Sequence, residues 1–184
     1  FEGPDGPGIR PTPYSRDMAV NGSTYQTVIT DAGGTLSIPH GVGYVWATML
    51  WEMYGNLVDE HSFSGDIYAD STAGGNNLAL QLVIDGLKFQ PCSPGFVQGR
   101  DAILDADMAL TGGDNQCLIW EAFAKRGLGV SAEQRSSKKA NDGTAAFDLP
   151  AECGSGAGVV VPLAPAILLR ELWRLRPRRL IVRD

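Results

Sequence analysis

The sequence predicts a mainly α protein, a compact bundle of about four helices between an irregular N-terminal segment and a C-terminal tail. Three observations carry that expectation. Between Ser37 and His61, Val42, Val45, Trp46, Met49, Leu50, Met53 and Leu57 recur at i, i+3, i+4 and i+7 spacing, the apolar face of a long helix. Asn76–Lys88 carries Leu78, Leu80, Leu82, Val83, Ile84 and Leu87, apolar nearly all round, the pattern of a buried helix. Two further stretches, from Ser93 to about Leu110 and residues 115–126, are bracketed by helix start and stop residues, and the short connections between them suit a bundle.

Taken in order, residues 1–16 (FEGPDGPGIRPTPYSR) alternate prolines and glycines, which excludes a helix or a central strand. Residues 17–36 are polar and β-branched and read as loop with a brief extended piece. Ser37 then supplies an N-cap, with Pro39 inside the first turn of the long helix. Gly41, Gly43 and Gly55 are unexpected in such a helix, each costing about 1 kcal/mol against alanine, and glycines there let a backbone or ligand come close. Residues 62–76 form a loop. Ser93 and Pro94 make an N-cap and N1 pair for the third helix, which Thr111-Gly112-Gly113 stops. Asp114 caps the fourth, burying Leu118, Ile119, Ala122 and Phe123 and ending at Gly127 after Lys125-Arg126. Residues 131–146 are polar and read as a mobile loop, and Phe147–Cys153 as a closing extended segment. There are no internal repeats.

At 184 residues the chain is long enough to bury a real core, and 43% hydrophobic with 20% charged residues is ordinary for a globular protein. Net charge is −6, yet Arg170–Asp184 holds six arginines against two acids, so the remainder carries −10. An acidic body repels nucleic-acid phosphates, which excludes that class of partner, and suits a secreted protein. The acids offer weak metal candidates only. Asp66 and Asp70 do not have calcium-loop spacing, and Asp101 and Asp105, four apart on one helix face, read as a solvated acidic face. His40 opens the long helix where a ring can project into a cleft, although a single histidine there also serves as a plain polar cap. His61 closes the same helix, where a capping role is expected.

The string PHGVGYVWATMLWEMYGNLVDEH (39–61) resembles the C-terminal helical lobe of the fungalysins, secreted zinc metalloendopeptidases distantly related to thermolysin. GIRPTPYSRDM (8–18), GGNNLALQLVIDGLKFQPCSPGFVQGRDAILDADMALTGG (74–113) and CLIWEAFAKRGLG (117–129) resemble the same family in the same order. The likeness extends over about residues 8–150. That family binds zinc through a His-Glu-x-x-His helix and a downstream Glu. This chain has no such motif, since its two histidines are His40 and His61. The resemblance therefore implies the C-terminal part of a secreted zinc-dependent endopeptidase that hydrolyses peptide bonds in proteins, with metal ligands outside this chain and in an N-terminal zinc-binding lobe of the same polypeptide. Alone, the chain is expected to be inactive. The alternative is a non-catalytic helical binding or scaffold domain of a surface-anchored protein.

By the same resemblance His40 takes the place of the cleft histidine that donates a hydrogen bond to the tetrahedral oxyanion. Relatives often carry an acid just before this histidine to orient the ring, where Ile38-Pro39 stand here, and Asp31 is the residue that would reach back instead. Arg10 takes the place of the arginine that binds the substrate carbonyl beside the cleaved bond; its other reading is a structural arginine tying the leading loop to a helix carboxylate. Tyr14 reads as an aromatic that packs. In an exported chain Cys92 and Cys117, which flank the third helix, are expected to form a disulfide, the other reading being two free thiols. No Cys-x-x-Cys pair or Cys/His cluster suggests a metal, and Cys153 is left over.

Residues 1–153 thus read as the helical lobe and 154–184 as a tail outside it. The tail's Gly-led apolar run of about fourteen residues falls short of the ~20 a spanning helix needs, and it precedes an arginine cluster. Together these resemble a bacterial C-terminal sorting signal that holds a protein transiently at the cell surface. The rival reading is an extension unrelated to the domain.

Overall fold

In the computed structural model residues 10–154 are described, and they carry five helices: α1 (Tyr25–Asp31), α2 (His40–His61), α3 (Gly75–Phe89), α4 (Phe96–Thr111) and α5 (Gln116–Lys125). The expectation of a mainly α bundle holds. Three isolated backbone bridges, Ala32 with Leu36, Leu128 with Ala146 and Glu133 with Thr144, are the β-type pairings among these residues. The tail assigned above to residues 154–184, with its sorting-signal reading, lies outside the described residues from Ser155 onward.

The long helix α2 forms the axis. It packs against α3 on one side and α5 on the other, and α3 packs in turn against α4. Tyr44, Val45, Met49, Met53 and Leu57 on α2 are essentially fully buried, and they meet Leu82, Ile103, Ile119 and Phe123 in one core. Burying side chains of this size contributes roughly 1.5–3 kcal/mol each, which is why α2 dictates where its neighbours lie. The apolar face expected from periodicity is present but rotated. Val42, Trp46 and Leu50 are partly buried at its edge, while Thr48 and Glu52 occupy fully buried positions beside Tyr44 and Met49.

Several element boundaries and pairings differ from the expectations. Residues 25–31 are a helix rather than loop, because Thr24 and Thr27 close a reciprocal cap and Tyr25 and Val28 are buried against the core. Helix α3 is not buried all round. Leu78, Ala79 and Leu82 face the bundle, whereas Leu80, Ile84 and Leu87 are 46%, 53% and 60% exposed, because α3 packs on α2 and α4 and no described helix covers its remaining face. Helix α4 starts at Phe96 after Gly95, not at Ser93-Pro94; Ser93 adopts a φ of 56°, which cannot begin a helix. Its stop is as expected, with Gly112 in the left-handed conformation at φ 81°. Asn115, not Asp114, stands at the start of α5.

The cysteine pairing is also corrected. Cys117 at the start of α5 bonds Cys153, and Cys92 is an exposed free thiol, so the Cys92–Cys117 bridge does not form. Cys153 is brought to α5 because the closing segment runs back along the turn after that helix. Gly129 N–H donates to Ala146 O at 2.7 Å and Val130 N–H to Asp148 O at 3.1 Å. The polar stretch 131–146 is likewise held rather than loose: Glu133 and Thr144 exchange both backbone hydrogen bonds at 2.9 Å.

Candidate functional site

The leading segment is bound to the helices by a buried charge cluster. Glu52 on α2 is 1% exposed and Arg126, just past α5, is fully buried. Arg126 donates to Glu52 Oε2 from Nε at 3.0 Å and lies 2.8 Å from it through the other guanidinium nitrogen. Lys125 Nζ reaches Glu52 Oε1 at 2.6 Å, and Arg16 Nε reaches the same oxygen at 3.4 Å. The guanidinium of Arg126 also donates to the carbonyls of Ser15 and Asn21, at 2.7 and 2.5 Å. One carboxylate inside α2 thus orders a length of chain that has no regular structure of its own.

Arg16 fastens the outer side of this arrangement. It donates to Asp59 Oδ2 at 2.6 Å and to Asn56 Oδ1 at 2.8 Å. The hydrogen bond that Arg16 donates to Asp59 raises the guanidinium's affinity for its proton, against a smaller opposing effect of burial. Gly55 is explained by the same contact, since a Cβ there would stand 2.4 Å from Arg16 Cδ. The structural task considered for Arg10, tying the loop to helix carboxylates, therefore belongs to Arg16. Arg10 is half-buried and has no carboxylate partner among the described residues.

Further along, Thr12 crosses α2. Its hydroxyl meets the Tyr44 hydroxyl, and Tyr44 also donates to the Thr12 carbonyl at 3.2 Å. Tyr14 packs on the Tyr44 ring with centroids 5.4 Å apart. Tyr44 lies one helical turn beyond His40, so the Arg10–Tyr14 stretch runs beside the end of α2 that begins with His40.

His40 is the first residue of α2 and is exposed. The chain approaches it through a closed turn, in which Leu36 N–H donates to Asp31 O and Gly33 N–H to Leu36 O, both at 2.9 Å. The N-cap position falls at Pro39 rather than Ser37, so Pro39 precedes the first turn; the Ser37 hydroxyl and carbonyl still accept Gly41 N–H, at 3.0 and 2.8 Å. Asp31 makes no side-chain hydrogen bond to His40; it lines a separate cleft of about 320 Å³ with Pro11, Thr12 and Tyr44. On the other side, Ile38, Pro39 and Val42 help to line a second cavity of about 250 Å³. His40 thus projects from a helix start whose neighbours wall two concavities.

His61 does more than close α2. Its Nε2 lies 2.6 Å from Asn115 Oδ1, and Asn115 donates to Asp107, which is fully buried and also accepts from Gln116 and Thr111. The second histidine therefore belongs to a structural network joining α2, α4 and α5. Asp101 is paired with Arg100 at 2.7 Å, and Asp105 is exposed. Among the described residues no group of three or more His, Cys, Asp or Glu side chains could hold a metal ion, so the donor set for a zinc site is not found there.

Residues 2–132 match a family model described as fungalysin metallopeptidase (M36). The chain is 51% identical over 136 residues to the extracellular metalloproteinase MEP of Neosartorya fischeri, covering 72% of this chain and 21% of that protein. It is 47% identical over 150 residues to extracellular metalloproteinase 10 of Coccidioides posadasii, covering 79% and 22%. Extracellular metalloproteinase 2 of Trichophyton tonsurans is 46% identical over the same shares. The chain belongs to the fungalysin metallopeptidase family, and it spans about a fifth of the length of these relatives.

Sequence reasoning singled out His40 and Arg10 through the family's pattern and missed the buried cluster of Glu52 with Arg16, Lys125 and Arg126. A signal was present. Glu52 stands four residues after Thr48 and beside Met53, inside an otherwise apolar helix, and a carboxylate there needs a cation.

Proposed function

We propose that this chain is the C-terminal helical lobe of a secreted zinc-dependent metalloendopeptidase that cleaves peptide bonds in proteins. In this reading residues 1–153 form one wall of the substrate cleft and 154–184 are a tail outside it. The zinc ligands come from an N-terminal lobe of the same polypeptide, because the matched segment covers 21–22% of these relatives and the described residues offer no donor set.

The observation that carries the proposal is the exposed imidazole of His40 at the start of α2, beside the segment that bears Arg10. An N–H of His40 donates to the substrate oxygen that gains negative charge as water adds to the scissile carbonyl. The backbone that bears the ring is set at a helix start before substrate arrives, and the donation strengthens with developing charge. Arg10 donates to the carbonyl beside the cleaved bond and holds the substrate in register. The names of the relatives support secretion, since each is called an extracellular metalloproteinase.

The test compares the complete polypeptide with this chain alone. The complete polypeptide should carry one zinc per molecule through dialysis and hydrolyse casein until a chelator is added. The 184-residue chain should do neither. Stoichiometric zinc and chelator-sensitive proteolysis by the chain alone would overturn the division of labour proposed here.

A further inference from the structure

The cavity of about 250 Å³ beside His40 has a composition that selects a ligand. Its floor is apolar and aromatic: Val28 and Tyr25 from α1, Val42 from α2 and Phe96 from the start of α4. Its rim is the backward-folded stretch 134–140, which brings Lys138 and Lys139 to the mouth, and no carboxylate lines it. The cavity is built on the core: the Tyr25 and Phe96 rings lie 5.2 Å apart, and Trp46 closes edge-on against Phe96 at 5.5 Å. The rim is fixed as well. Gln134 Oε1 accepts Val97 N–H at 3.0 Å, and Ser136 N–H approaches Asp142 Oδ1 at 3.4 Å.

The two lysines, like Arg10 and Arg135, have no carboxylate partner among the described residues. Arg16, Lys88, Arg100, Lys125 and Arg126 all pair with carboxylates, whereas Lys138 and Lys139 are exposed and make no ion pair among the described residues. The nearest acids in sequence are Glu133 and Asp142, and the Asp142 carboxylate accepts Ser136 N–H at 3.4 Å. A free cationic rim over an apolar cavity on an acidic body attracts a ligand with a hydrophobic side chain and an adjacent negative charge.

We propose that this cavity is a substrate subsite that binds an apolar side chain, aromatic or large aliphatic, flanked by aspartate or glutamate. Lys138 and Lys139 are the specificity-determining residues. The proposal rests on the reading of His40 as a cleft residue: Ile38, Pro39 and Val42 bracket His40 in sequence and wall the cavity, so a peptide crossing the imidazole passes its mouth. Substrate selection at this position would then follow charge beside the hydrophobic residue, not the hydrophobic residue alone.

The test is binding, so it does not depend on turnover. The ¹⁵N-labelled 184-residue chain is titrated with the blocked tripeptides Ac-Asp-Phe-Asp-NH₂ and Ac-Asn-Phe-Asn-NH₂. The acidic peptide should shift the amide signals of Val42, Phe96, Gln134 and Ala140. It should bind about 3–10-fold more tightly than its amide counterpart, the scale expected of two partly solvated charge pairs. Salt should narrow that margin, and Lys138→Glu/Lys139→Glu, which alters two exposed positions and leaves the core intact, should abolish or invert it. Equal affinity for the two peptides, an unchanged preference in the double variant, or shifts that map elsewhere would overturn the subsite. Failure of the cleft reading itself registers separately, as retained turnover in His40→Ala.

Discussion

The carboxylate of Glu52 and the guanidinium of Arg126 lie 2.8–3.0 Å apart with almost no solvent access to either, one inside α2 and the other just beyond α5. Residues 15–23 of the irregular leading segment are held to this pair. Arg126 holds the carbonyls of Ser15 and Asn21, and Asn21 donates in turn to the carbonyl of Pro13 at 3.1 Å. The segment bearing Arg10 is consequently laid along α2 toward His40.

Breaking the pair should be costly. Glu52→Ala leaves a fully buried guanidinium without its counter-charge, a change worth about 3–5 kcal/mol. Urea denaturation should show that loss together with increased proteolysis near residues 12–24. A loss below about 1 kcal/mol would mean that Arg126 is satisfied by carbonyls alone.

The disulfide gives a second prediction. Cys117 and Cys153 are 36 residues apart in sequence, and closing a loop of that length removes unfolded-chain entropy worth roughly 4 kcal/mol. Peptide mapping of the unreduced protein should recover the Cys117–Cys153 peptide and alkylate Cys92 alone. Cys92→Ser should leave stability nearly unchanged, whereas Cys117→Ser should lower it by several kcal/mol. A Cys92–Cys117 peptide would contradict the fold of the closing segment.

Asp148 makes the same segment sensitive to acid. Its carboxylate accepts Ser131 Oγ–H at 2.5 Å and Ser131 N–H at 3.0 Å, and these bonds hold its pKa below the ordinary aspartate value. Because the folded pKa is the lower one, the unfolded chain binds more protons through that window, and stability rises with pH across it. The contribution is complete above the unfolded aspartate value and is lost as pH falls through the folded one. Asp148→Asn should therefore flatten the acid limb of a Tm-against-pH curve and lower Tm at neutral pH. Parallel curves for the two proteins would show that the clamp contributes nothing.

The helices were legible in the sequence to the extent that apolar spacing determined them. α2 carries its buried positions in register and ends at His61 as expected, and α5 ends at Lys125 before Gly127. Where the interior is polar, spacing is silent. Thr48 and Glu52 form part of the buried face of α2, and periodicity counts them as gaps. Exposure along α3 was misjudged for a related reason: Leu80 and Ile84 look buried by composition, yet only tertiary contact decides which side of a helix has a neighbour. α1 is too short for periodicity and depends on Tyr25 and Val28 reaching a core that the sequence does not locate. Cys153 meets Cys117 only because the chain turns back after Gly127, a long-range pairing that no local pattern encodes. His40 and Arg10 came from the family's motif, and the lysine-rimmed cavity came from structure alone.

The central claim is that His40 acts on the transition state, and a kinetic comparison in the complete polypeptide tests it most directly. His61→Ala is unsuitable as an inert control, because His61 bonds Asn115 in the network around Asp107 and its loss should lower Tm. Thermal melting and zinc content of His40→Ala itself provide the control instead, since its exposed ring carries no hydrogen bond among the described residues. Loss of one oxyanion donor costs about 2.7–4 kcal/mol, a hundredfold to a thousandfold in rate. His40→Ala should therefore reduce kcat by that factor with KM, Tm and zinc content nearly unchanged. Near-full kcat, or a fall in Tm that accounts for the lost activity, would contradict the account and leave His40 a surface residue at a helix start.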